Sequence, residues 1–131
     1  MSKIVITGMG AVTPIGIGLE AFWKGLMEGK SGAARVTLLD PTPFPCQIAA
    51  EVKDFQVEQY VDRKKARRMD RFTQLGMAAA KMAIEQSGLD LAKENLERIG
   101  VIVGSGIGGL QTMEEEFTVL LNKGSRRVSP F

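Results

Sequence analysis

The chain has 131 residues, 44% of them hydrophobic and 24% charged, with a formal net charge of +2. That length suits one domain with a buried core, and the near-neutral balance creates no global field that calls for nucleic acid or a membrane surface. Histidine is absent and Cys46 is the one cysteine, which excludes an intramolecular disulfide, a zinc cluster and a histidine base, and fits a reducing, cytoplasmic setting.

Lys3–Thr7 (KIVIT) reads as a buried strand, β-branched and closed by Gly8. Gly8, Gly10 and Pro14 interrupt the apolar run, so it does not read as a signal peptide. No window approaches the roughly 18 apolar residues of a membrane span. Leu19–Glu28 carries Leu19, Phe22, Trp23 and Leu26 at helical spacing, and Gly29 and Gly32 end that helix. Pro41, Pro43 and Pro45 make the following stretch a loop, with an edge strand expected around Gln47–Val52. A short helix follows Asp54, with Phe55, Val57 and Tyr60 as its apolar contacts.

Asp62 to Ser87 reads as one long helix, with Met69, Phe72, Gly76, Ala79 and Ala83 on its buried face and Gly88 as its stop. Ala78-Ala79-Ala80 permits another backbone to approach closely. Arg98–Gly104 is a second buried strand. Leu110–Leu121 is a second long amphipathic helix ended by Gly124, and Ser129-Pro130-Phe131 is extended chain. Strand, helices, strand, helix predicts an α/β layout with a parallel sheet, and the close on Phe131 reads as truncated.

Three stretches could carry chemistry. Gly104–Gly109 (GSGIGG) matches G-x-G-x-x-G between a strand and a helix, the arrangement that holds a pyrophosphate on backbone amides. The acidic residue that should meet a ribose about twenty residues on is missing, since Asn122, Lys123 and Gly124 stand there. A structural or pocket-lining turn fits better. Asp62–Arg71 (DRKKARRMDR) holds six basic residues against two acidic. On a continuous helix Lys64, Arg67, Arg68 and Arg71 project from one side, a ridge suited to an acidic protein, phosphate groups or nucleic acid, or simply a solvated face. Stacking aromatics are lacking, which counts against single-stranded nucleic acid. Arg126 and Arg127 follow a helix, where guanidinium groups bind carboxylates or phosphate, or complement the helix's negative end. On the residues alone the last reading is preferred. Cys46, with no base beside it, reads as a small apolar group.

Together these segments resemble the N-terminal part of the β-ketoacyl-acyl-carrier-protein synthases, most like the elongating synthase II type. The carriers of the resemblance are VITGMGAVTPIG at 5–16, FW at 22–23, GKSG at 29–32, VKDF at 52–55, RKKARRMDRFTQ at 63–74, SGL at 87–89, RIGVIVGSGIGG at 98–109 and RRVSPF at 126–131. The resemblance implies a thiolase-like α/β fold, here partial: the N-terminal part of the first α/β half of a layered α/β/α/β/α architecture that is usually a homodimer. It implies an acyltransferase that joins an acyl thioester to malonyl-carrier protein by decarboxylating condensation. Substrates ride on the phosphopantetheine of an acidic acyl carrier protein, and no other cofactor or metal is expected.

The family's nucleophilic cysteine and two histidines match no residue here, Cys46 included, so residues 1–131 alone should be inactive. Lys64, Arg67 and Arg68 match a carrier-contact helix, and Arg126 and Arg127 match a second contact pair, which reverses the preference stated above. Lys65 stands where some relatives have an acid and is left out. Ile107 matches the gate of the acyl pocket, and Phe131 falls at the edge of a pocket and dimer segment. Two alternatives remain: a stand-alone Rossmann-like domain binding a dinucleotide at Gly104–Gly109, and a non-catalytic carrier-binding fragment.

Overall fold

The computed structural model describes residues 3–129. Its ladders are short and antiparallel. β1 (Val12–Thr13) pairs with β2 (Gly16–Ile17), and β3 (Ala33–Arg35) pairs with β4 (Ile48–Ala50). Thr13 staples the first hairpin: its Oγ1 donates to the Gly16 carbonyl at 2.9 Å and accepts from the Ile15 and Gly16 amides. This is the hydroxyl-to-backbone chemistry that threonine brings to tight turns. β4 lies inside the span expected of an edge strand; β3 and the first hairpin are too short to leave a period-two pattern.

The helices follow the sequence more closely. α1 covers Leu19–Met27 and α4 covers Leu110–Lys123, each within two residues of expectation. The element after Asp54 is a single 3-10 turn, Val57–Gln59. The long helix expected over Asp62–Ser87 is broken into α2 (Arg63–Ala66) and α3 (Arg71–Ser87). Asp70 is extended at φ −58° and ψ 155°, and Gln74 Nε2 donates to the Ala66 and Met69 carbonyls, both at 3.1 Å. That side chain takes up carbonyls a continuous helix would have used internally, so the bend is stable.

Packing concentrates on α3. Ala78 is fully buried, and Val61, Ala66 and Pro41 are also buried among the described residues. Leu75, Ala79, Met82 and Ala83 are half-buried beside Ala78, whereas Phe72 and Gly76 are exposed, so the inward stripe is rotated by about one residue from the predicted one. The close approach allowed by the alanines is made by Gly8 and Gly10. A Cβ on Gly8 would overlap the Ala83 carbonyl and one on Gly10 the Ala79 carbonyl, and the Met9 amide donates to Gln86 Oε1 at 2.7 Å.

Neither predicted long strand forms. Ile4, Val5 and Ile6 are 100%, 70% and 81% exposed, and Val101, Ile102 and Val103 are 86%, 100% and 80% exposed. A β-branched run becomes a strand only when a neighbour satisfies its amides and carbonyls. Among the described residues neither run makes a hydrogen bond. The parallel sheet is therefore not formed among these residues. Pro130 and Phe131, and with them most of the expected C-terminal extension, lie outside the described residues. Among those residues no helix is long and apolar enough to cross a membrane.

The β3–β4 excursion carries an acid-sensitive clasp. Glu51 accepts from the Thr37 amide at 2.9 Å, the Thr37 hydroxyl at 2.6 Å and the Leu38 amide at 3.1 Å. The Thr37 hydroxyl, then its amide, hold the Glu51 carboxyl below its ordinary range. The Thr42 hydroxyl and amide do the same for Asp40. Both acids have lower values folded than unfolded. Their stabilisation is complete above the ordinary carboxylate range and disappears as pH falls through the depressed values. Protection of the Thr37 and Leu38 amides, measured against their intrinsic exchange rates, is expected to fall below about pH 4, and Glu51→Gln to flatten that dependence. A flat profile in the parent chain would show that the clasp is not formed.

Candidate functional site

The basic segment is built around α2. Asp62 caps it, Oδ1 accepting from the Lys64 amide at 3.0 Å and the Lys65 amide at 3.3 Å, the usual service of an aspartate at a helix start. Ala66 turns inward at 3% exposure. Lys64, Arg67 and Arg68 are exposed. Among the described residues the ion pairs are Lys24–Glu28, Lys81–Glu85 and Lys93–Asp90, so none of these three cations is paired.

Arg71 does not belong to this ridge. Its Nη2 donates to the Val52 carbonyl at 3.2 Å, and its guanidinium lies 4.8 Å from the centroid of Phe55, which stacks on Tyr60. The broken helix turns it toward Val52 and Phe55, and although exposed it serves as a structural strut through hydrogen bonding and cation–π contact.

Across an open cleft of ≈ 440 Å³ the α2–α3 junction faces α4. Arg67, Arg68 and Gln74 line one wall, and Gln111, Thr112, Glu115 and Glu116 the other. Asp70 bridges them. Thr112 donates to it twice, from its amide to Oδ1 at 3.3 Å and from its hydroxyl to Oδ2 at 2.8 Å. The helix whose own N-cap is Gly109, which offers no side chain, thus borrows a carboxylate from 42 residues upstream.

This bears directly on the G-x-G-x-x-G reading. The first turn of α4 already holds an anionic group, and a pyrophosphate placed there would meet Asp70 rather than open amides. A Cβ on Gly109 would overlap Asp70 Oδ2, so this glycine makes room for a protein carboxylate. Ile107, in the same loop, is 73% exposed.

Arg126 and Arg127 are exposed on a 3-10 turn, Ser125–Arg127, directly after α4. That turn is tied back to the cleft wall, since Glu116 Oε2 accepts from the Ser129 amide at 2.6 Å. The second basic pair therefore follows the C-terminal end of the helix whose first turns line the cleft. Phe131 lies outside the described residues. Cys46 is exposed, its Sγ 3.6 Å from the Ile48 carbonyl oxygen, and no cluster of potential metal ligands occurs among the described residues.

Sequence reasoning missed Asp70, Gln74 and the strut role of Arg71. One signal was available for Asp70: a long amphipathic helix starting at a glycine needs a cap from elsewhere.

The sequence model of a family described as "Beta-ketoacyl synthase, N-terminal domain" matches residues 1–131. A 3-oxoacyl-[acyl-carrier-protein] synthase 2 of Synechocystis sp. is 46% identical over 129 residues, covering 98% of this chain and 31% of that protein. The chain thus spans about a third of the length of that relative. Among solved structures, the ishigamide ketosynthase/chain length factor superposes with a TM-score of 0.76 at 30% identity, covering 96% of this chain and 32% of the other. A chain of the solved complex of a type II PKS acyl-carrier protein with its ketosynthase superposes equally well, with a TM-score of 0.76 at 27% identity over 96% of this chain and 32% of the other.

Proposed function

Because the chain belongs to the β-ketoacyl synthase family, whose N-terminal domain it matches throughout, and superposes on thiolase-like ketosynthases, we propose that it serves 3-oxoacyl-[acyl-carrier-protein] synthesis. In that reaction an acyl group passes from a carrier thioester to a cysteine thiol, malonyl-carrier protein loses CO2, and the resulting carbanion attacks the acyl thioester. A carbon–carbon bond forms and the thiol is released. Residues 1–131 contain no histidine, and Cys46 has no base beside it. They supply docking surface and pocket wall, and by themselves turn over no substrate. The homodimeric, cytoplasmic setting typical of the family is part of this proposal.

One observation carries the docking assignment. Both acids of the 62–71 segment are spent on neutral groups, Asp62 on the α2 amides and Asp70 on Thr112. Lys64, Arg67 and Arg68 make no ion pair among the described residues, the carboxylates of Glu115 and Glu116 lying on the opposite wall of the cleft. Arg126 and Arg127, exposed on the turn after α4, add a second basic pair to the proposed docking surface. An acidic carrier protein delivering a phosphopantetheine thioester is the partner this charge selects, and the solved ketosynthase–carrier complex supports it by likeness. Ile107 then gates the acyl channel, and the resemblance assigns Phe131 to the segment that borders the pocket and dimer contact; no metal and no cofactor beyond the carried phosphopantetheine takes part.

Titration of the chain with an acyl carrier protein tests this. Saturable binding that weakens steeply between about 50 and 300 mM salt is expected, without turnover. Titration with a dinucleotide is expected to give no saturation. Dinucleotide binding without carrier binding would overturn the assignment in favour of the stand-alone Rossmann-like reading.

A further inference from the structure

Asp70 is the residue that touches both halves of the site. Its main chain ends the α2–α3 junction, directly after Arg67, Arg68 and Met69, while its carboxylate receives the amide and hydroxyl of Thr112. The glycine loop is moulded onto this arrangement. Gly109 has φ −75°, which any residue accepts, yet a Cβ there would overlap Asp70 Oδ2. One on Gly108 would lie 3.8 Å from Phe72 Cζ. Ile107 comes immediately before. The junction cannot absorb a displacement by flexing, because Gln74 fastens the Ala66 and Met69 carbonyls to the first turns of α3.

We infer that Asp70 is a positioning residue that makes the basic junction and the 104–109 loop move as one body, so that engagement of Arg67 and Arg68 is transmitted to Ile107. The functional meaning of this linkage rests on the docking and gating roles proposed above, whereas the linkage itself is internal to the chain. It needs no change in the rest of the fold: a single charge-assisted contact whose strength depends on the junction's position suffices to couple the two sites. The transmitted quantity is loop order, since the Thr112 amide held by Asp70 is one of the orphan donors of a helix start.

Amide exchange on the full chain decides the matter. In the parent chain Thr112 and Met113 should be protected, and Asp70→Ala should accelerate exchange over 107–113 about fivefold. Gln74→Ala should produce a similar acceleration at 107–113 when Asp70 is present and add nothing when it is replaced. Gly109→Ala, which evicts the carboxylate, should likewise be harmful in the parent and silent in the Asp70→Ala background. That suppression is a signature an ordinary packing role does not give, and it carries the test if Gln74→Ala loosens the whole fold, with the α1 amides as the reference for global opening. Additive effects, an unprotected Thr112 in the parent, or looseness confined to 63–69 in Gln74→Ala would each overturn the linkage. Loss of carrier binding with the suppression intact would sink the docking role and leave the linkage standing.

Discussion

Replacing Arg67 and Arg68 together by glutamate is expected to weaken carrier-protein binding by more than about 100-fold, roughly 3 kcal/mol, because two attractive contacts become repulsive ones. The size follows from the local charge balance. Asp62 and Asp70 are fastened to backbone amides and Thr112, and Glu115 and Glu116 line the opposite wall of the cleft, so the reversed pair would join existing carboxylates and present an acidic partner with a repulsive face. Fold stability should change little, since Arg67 and Arg68 are exposed and unpaired among the described residues. Calorimetric titration at two salt concentrations, with a thermal melt of the same variant, separates the two effects. A variant that melts normally and binds as the parent does would remove the docking face from this ridge. Reversing Arg126 and Arg127 should have a smaller effect in the same direction.

The second large effect concerns the fold. Gly10→Ala is expected to cost about 2–3 kcal/mol, since its Cβ would overlap the Ala79 carbonyl and also lie 2.9 Å from Met82 Cβ. Neither neighbour can retreat, as both belong to the backbone or first side-chain atoms of α3, the helix that holds the fully buried Ala78. The melting temperature should drop by about 10 °C for a chain of this size. Gly76→Ala is the matched control: that position is helical and exposed, and nothing lies within 4 Å of the added atom. It should gain up to about 1 kcal/mol from helix propensity. Equal melting temperatures for the two variants would mean that the Gly8–Gly10 segment does not rest on α3.

Much of this was legible in the residues themselves. α1 and α4 could be placed because Leu19, Phe22, Trp23 and Leu26, and the run from Leu110, keep a helical period that glycine then ends. A close approach was readable at Ala78-Ala79-Ala80 as a row of small side chains, and the structure makes it at Ala79 and, one turn on, at Ala83. Other features were not. The break at Arg67–Asp70 depends on Gln74 reaching back to two carbonyls, a long-range choice that periodicity does not encode. Arg71 looked like its basic neighbours until that bend turned it toward Val52 and Phe55. Lys3–Thr7 and Arg98–Gly104 have strand composition, but composition supplies no pairing partner. The site divided the same way: Lys64, Arg67, Arg68 and the 126–127 pair could be marked from charge and resemblance, whereas Asp70 required knowing which helix start faced it.

The bare Ile4–Ile6 and Val101–Val103 segments have a practical consequence for anyone handling this polypeptide. Each couples high β-propensity and no charge with unsatisfied main-chain groups, the combination that templates fibrillar stacking and recruits other sticky chains. Concentration, more than heat, is therefore the condition that should first drive the material out of solution. A single lysine in place of Ile4 or Ile102, both wholly solvent-facing, would act as a gatekeeper at no cost in burial.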